Sequence, residues 1–172
     1  MKILEIRRHS IRSLDGHLTQ QGVSLARKVG QGIGPFSIVV TSTLPRAFDT
    51  AVAMGFAVDW QNELLSTYGP AVERESPWPM SFAEYAMGAS SREATAKYMG
   101  QLLEFYQGLL TQVEDGGSIL SINHGGIVEM STVACLPDFD YSGWGGSVNY
   151  CEGARLFWED KFIRAEELRV QQ

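Results

Sequence analysis

Ile3-Leu4-Glu5-Ile6-Arg7-Arg8-His9-Ser10 decides the fold: a short apolar run breaks off into a basic pair, a histidine and a turn residue. Such a run reads as a buried strand over residues 2–7, and a histidine at its end sits where open α/β sheets place their ligands. The flanking Arg8 brings a permanent fork of donors suited to phosphate. A second corner of the same kind, Asn123-His124-Gly125-Gly126, lies far along the chain, again where a strand-like run gives way to a turn.

Working outward, residues 18–33 carry apolar or small side chains at helical spacing (Val23, Ala26, Val29, Ile33), with Thr19 as N-cap and Gly34-Pro35 as the stop. Residues 36–40 read as a buried parallel strand, and Thr41-Ser42-Thr43 caps a helix over 44–54. Periodicity then fades over 59–88 into proline, glycine and aromatics, too long and too apolar for a simple connection, so the stretch reads as an ordered excursion over the sheet edge. A long amphipathic helix follows over 91–113, with Tyr98, Leu102, Phe105, Leu109 and Val113 on one stripe. Next come a strand over 118–122, a helix over 126–135, and a terminal hairpin of 147–151 and 155–158 that turns at Glu152-Gly153-Ala154. This order implies an α/β fold in which 1–172 is a single three-layer domain with a mostly parallel central sheet flanked by helices. Right-handed crossovers bring the ends of three strands to one edge.

Composition narrows the function. A chain of 172 residues buries roughly 70% of the surface its unfolded form exposes, so its core needs no staples. No window approaches the ~18 to 20 apolar residues that cross a bilayer, and the first residues lack the apolar segment of a secretory signal. The expected location is the cytoplasm, with no membrane partner. A net charge of −6 argues against a nucleic-acid surface, so a phosphorylated substrate needs a local cationic pocket. Cys135 and Cys151 have no metal-ligand spacing and read as reduced, buried small residues.

Each candidate site residue has a bland reading when taken alone. Arg8-His9 suits an exposed strand end. Arg46 stands in the first turn of the second helix, where a cation is unfavourable against the helix dipole unless an anion is also present; otherwise it reaches to solvent. Gly125 and Gly126 behind His124 permit close backbone approach and expose amide donors, although a histidine can equally be satisfied by its own turn. A metal site of His9, His17 and His124 has no helical ligand pair, and the arginines repel a cation, so neither a metal nor a cofactor is expected.

Taken together, four segments resemble the histidine phosphatase superfamily, the phosphoglycerate-mutase-like enzymes. Ile6-Arg7-Arg8-His9-Ser10 is similar to the family's Arg-His-Gly hallmark with serine for glycine, and Leu18-Thr19-Gln20-Gln21-Gly22 to the opening of its first helix. The segment 41–51, through Arg46-Ala47 and Thr50-Ala51, is similar to its second motif, and Ile122-Asn123-His124-Gly125-Gly126 to its late Ser-His-Gly-Gly. The resemblance covers 2–55 and 118–135. It implies a phosphoglycerate-mutase-like fold in which His9 attacks phosphorus and becomes a transient phosphohistidine, with Arg8, Arg46 and His124 around the transferred group. Ser10, Arg12 and Gly125 are expected to meet the substrate. Phosphoryl transfer asks mainly for positioning and fixed positive charge, which agrees with this set.

The family's proton donor, in many relatives a glutamate in the excursion, is best matched by Glu63, at an offset position. Glu73, Glu75, Glu84 and Glu129 are rivals, each with a solvated surface carboxylate as the alternative. The resulting expectation is a metal-independent phosphatase acting on a phosphorylated small molecule or phosphoprotein, through a phosphomonoester or a phosphohistidine. A mutase and a non-catalytic phospho-ligand-binding module are the alternatives.

Overall fold

The computed structural model describes residues 1–170. Strands β1 (Lys2–Arg8), β2 (Ile38–Thr41), β3 (Trp60–Gln61), β4 (Ser118–Asn123), β5 (Gly153–Glu159) and β6 (Lys161–Leu168) form one sheet in the order β3-β2-β4-β1-β5-β6. The first four are parallel; β5 and β6 are antiparallel additions at one edge. The helices are α1 (Gln20–Gly30), α2 (Pro45–Met54), α3 (Gly69–Glu75), α4 (Phe82–Gly88), α5 (Glu93–Leu110) and α6 (Ile127–Cys135). None of them is long and apolar enough to cross a membrane.

The sheet is buried on both faces, as its continuous apolar strands require. Leu4, Ile6, Val40 and Ile119 belong to a large core with Tyr98, Leu102, Leu109, Val128 and Phe82, under α4, α5 and α6. Val39, Leu120 and Ile122 belong to a smaller one with Ala26, Ala47 and Ala51 from α1 and α2. Each fully buried Leu or Ile contributes about 1.5–3 kcal/mol relative to exposure. Gly22 is required by packing: a Cβ there would lie 2.2 Å from the Ile11 carbonyl oxygen, so α1 can cross the segment after His9 only with glycine at this point. Thr19 caps α1 as expected, its side chain accepting from the Gly22 amide.

The excursion contains β3, a 3-10 turn (Glu63–Leu65), α3 and α4. Its aromatics divide between roles: Phe82 and Tyr85 are core, Trp60 is partly exposed, and Tyr68 and Trp78 reach the site described below. Both cysteines are free and buried.

Three expectations need correction. The terminal hairpin is β5–β6, turning at Asp160 with φ 58°, and 147–151 is a loop instead of a strand. The backbone groups of that loop serve the site: the Val148 amide donates to Glu129 and its carbonyl accepts from Arg8. On α5, Tyr106 occupies the buried position and Phe105 is only half-buried, both being at helical spacing from Leu102 and Leu109. No side chain caps α2, because Thr41 ends β2 and the Ser42 hydroxyl is bonded to His124.

Candidate active site

The parallel register sets Arg8 beside Asn123 and Thr41 beside Ile122, so His9, Ser42 and His124 leave the carboxyl edge of the sheet side by side. The rings of His9 and His124 lie 5.1 Å apart. Nearness of this kind comes from strand pairing, because the two histidines are 115 positions apart in sequence.

His9 is almost fully buried. Its Nδ1 stands 2.7 Å from the Ser10 carbonyl oxygen, an acceptor only, which requires the proton on Nδ1 and leaves Nε2 unprotonated. Arg46 Nε donates to that Nε2 at 3.2 Å. Burial, and then the charges of Arg46, Arg8 and Arg12, hold the His9 pKa down to about 3, although the Ser10 bond acts in the opposite direction. The ring is therefore neutral at physiological pH, as a nitrogen nucleophile must be.

Arg8 donates to the Val148 carbonyl at 3.0 Å, and its guanidinium packs on Trp78 and Tyr150, 4.8 and 4.4 Å from the ring centroids. Arg46 occupies the first turn of α2, where the helix dipole disfavours a cation until an anion arrives. Desolvation lowers the pKa of both arginines. His124 Nε2 is 2.7 Å from Ser42 Oγ, which also accepts from the Leu44 amide. With Ser42 donating to Nε2, a neutral imidazole carries its hydrogen on Nδ1. Burial, the neighbouring His9 and the arginines keep His124 neutral, with a pKa of about 2.

Three buried nitrogens around this corner have no hydrogen-bond partner: Arg8 Nε, His124 Nδ1 and Trp78 Nε1. Trp78 Nε1 lies directly on Gly125, 2.5 Å from where a Cβ would be. Buried donors are almost always satisfied, and Arg8 Nε and Trp78 Nε1 are donors without a partner beside Arg46 and His124. The cleft in front of them, about 410 Å³, is lined by Arg46, His124, Gly125, Ser66, Tyr68 and Glu73 among others. A larger concavity of about 540 Å³ between α1 and α2, floored by Phe48 and Val52, holds none of these groups.

The structure thus brings together Arg8, His9, Arg46, His124 and Gly125. Arg12 is exposed, yet its charge acts on His9, His124, Arg8 and Arg46, which places it at the rim. The Ser10 hydroxyl, expected to meet the substrate, instead donates to the Gly22 carbonyl at 2.7 Å, and the Ser10 amide donates to Thr50. Glu63 also departs from expectation: it is exposed outside the cleft and accepts from Thr43 Oγ1 at 2.5 Å. Among its rivals, Glu75 accepts from the first amides of α5, Glu84 closes the capping box of α4, and Glu129 is buried on the Gly126 and Val148 amides. Glu73 alone of the five lines the cleft.

Sequence reading missed Ser42, Thr50, Trp78 and Tyr150. Ser42 and Thr50 stand inside a quoted motif, so a side-chain role for them was open to inference. Trp78 lies in the segment without periodicity, and Tyr150 in 147–151, which read as a hairpin strand, so neither was marked for the site. Among the described residues, no group of three or more His, Cys, Asp or Glu side chains is arranged to hold a metal ion.

Sheet order and helix placement are those of the phosphoglycerate-mutase-like fold. Solved structures with this fold match nearly the whole chain. Phosphoserine phosphatase from Entamoeba histolytica, in complex with 3-phosphoglyceric acid, is 18% identical with a TM-score of 0.68, over 99% of this chain and 98% of that one. Phosphoglycerate mutase from Bacillus anthracis is 16% identical with a TM-score of 0.69, over 96% and 92%. A mycobacterial glucosyl-3-phosphoglycerate phosphatase is 19% identical with a TM-score of 0.62, over 97% of both chains. No protein-family model and no curated protein matches the sequence.

Proposed function

We propose that the chain is a phosphatase that cleaves a phosphomonoester or a phosphohistidine through a phosphoryl group carried on His9. The observation that carries this reading is the unprotonated Nε2 of His9, with its Nδ1 proton on the Ser10 carbonyl and the Arg46 guanidinium 3.2 Å away, beside His124. In the proposed reaction His9 Nε2 attacks phosphorus and the bond to the leaving oxygen breaks. Arg8, Arg46 and the His124 Nδ1–H hold the equatorial oxygens, supplying the fixed charge that this chemistry requires. Water then displaces His9 and releases phosphate. Solved structures of this fold include proteins in complex with phosphoserine and 3-phosphoglyceric acid, which supports a phosphorylated small molecule as substrate.

The test uses p-nitrophenyl phosphate. Wild type turns it over, chelator leaves the rate unchanged, and a brief quench traps an acid-labile phosphoryl group on the protein. His9→Ala abolishes both turnover and trapping. Turnover that persists in a clean His9→Ala preparation refutes the reading.

A further inference from the structure

Beyond the phosphate clamp, the cleft wall has a chemistry of its own. Arg46 and Glu73 are its charged lining residues, and Arg46 faces His9. Glu73 accepts the Tyr68 hydroxyl proton on Oε2 at 2.5 Å, which orients the carboxylate and leaves Oε1 for a ligand. The neighbouring hydroxyls reinforce this polarity. Ser66 Oγ accepts from the Thr43 amide; because Thr43 Oγ1 donates to Glu63, the Ser66 proton is taken up by Thr43. Thr67 Oγ1 accepts from the Gly69 amide. The protons of Ser66 and Tyr68 are thus engaged within the protein, so what faces the cleft from 66–73 is acceptor lone pairs, one negative charge and a single hydroxyl donor, Thr67.

Resting on the phosphatase reading, we infer that this wall selects a leaving alcohol that carries hydrogen-bond donors and no negative charge, an ammonium being the best match for Glu73. A carboxylate or second phosphate on the leaving group meets Glu73 with like charge, and the engaged hydroxyls cannot answer it as donors. Of the opposing cations, Arg46 is committed to the transferred phosphoryl group, and Arg12 is exposed and outside the residues lining the cleft. Glu73 is exposed too, so repulsion is moderated by solvent, and discrimination on the order of tenfold is expected at low salt.

Two pairs of phosphomonoesters test this. Phosphoethanolamine and phosphoserine differ by one carboxylate, and glycerol 3-phosphate and 3-phosphoglycerate exchange a hydroxymethyl group for a carboxylate. Wild type favours the first member of each pair by about tenfold in kcat/KM, and the preference shrinks in 0.5 M salt. Glu73→Gln brings the ratio to within about threefold, because the charge is lost while the shape is kept. Tyr68→Phe, which frees the carboxylate without removing it, gives an intermediate ratio.

Parity, or a preference for the carboxylate member, overturns the inference and assigns selection to Arg12. Equal loss on both members in Glu73→Gln, with the ratio unchanged, also overturns it and makes Glu73 a proton donor. The phosphatase reading fails separately, if p-nitrophenyl phosphate is not turned over at all. Dissociation constants of the same four esters for His9→Ala, read by calorimetry, then decide the leaving-group inference without turnover: a ratio near one sinks it.

Discussion

Acid should destabilise this protein through its two site histidines, by an amount that follows from their burial. A histidine in the unfolded chain takes up its proton near pH 6.5, whereas His9 and His124 resist it until about 3 and about 2. Between those limits the unfolded state binds more protons, so stability is fully present above pH 6.5 and falls as pH is lowered. Each pH unit of that difference is worth 1.36 kcal/mol, so each histidine removes about 2.7 kcal/mol between pH 7.5 and 4.5. The assay is urea unfolding of wild type, His9→Gln and His124→Gln across that interval. Each variant should show a pH slope shallower than wild type by about that amount, corresponding to a smaller drop in Tm of roughly 5–10 °C. Taking the difference between proteins removes other titrating groups. Among these is Glu129, whose burial raises its pKa and tilts stability the opposite way. His17, raised by its bond to Asp49, also has the opposite sign, but it is fully exposed. Parallel pH profiles for wild type and both variants would refute the claim that these rings are held neutral by burial.

Two further outcomes follow from the hydrogen bonds. In Ser10→Gly the Gly22 carbonyl loses one donor while keeping its bond in the α1 ladder, so stability should fall by about 0.5–1.5 kcal/mol in urea unfolding. Its kcat should stay within about threefold of wild type, since the hydroxyl faces away from the reaction; a loss of hundredfold would return Ser10 to the substrate. Arg169 gathers the Trp144, Gly146 and Ser147 carbonyls and Glu152 onto one guanidinium, tying down the loop whose Val148 and Tyr150 hold Arg8. Arg169→Lys keeps the charge but loses the fork, so KM for p-nitrophenyl phosphate and the inhibition constant of orthovanadate should both rise about tenfold. Unchanged values would show that this loop does not position Arg8.

Most of the layout could be read in advance because local rules governed it. The apolar runs at 3–6 and 118–122 had to be buried strands, Thr19 was an N-cap by chemistry, and the breaks at His9 and His124 placed both at strand ends. The β5–β6 hairpin was misplaced because its turn at Asp160 contains no glycine or proline, while Glu152-Gly153-Ala154 mimics one. Phe105 and Tyr106 both lie three or four residues from Leu102 and Leu109, so helical spacing alone did not choose which one is buried. Ser81-x-x-Glu84 is a capping box legible in the sequence, and Glu129 likewise serves a helix start three residues before it. Contacts across the chain were needed to show that Glu75 serves the start of α5, Glu63 bonds Thr43, and Glu73 remains in the cleft.

The sequence by itself determined that two histidines and two arginines end or follow buried strands, because burial and periodicity act over a few residues. Tertiary structure alone decided the rest. It sets which nitrogen of His9 is unprotonated, that the Ser10 carbonyl rather than the Ser10 hydroxyl holds the other, and that Trp78 and Tyr150 flank Arg8. Those outcomes depend on which backbone groups meet after strands 115 residues apart have paired, and no local pattern encodes that meeting.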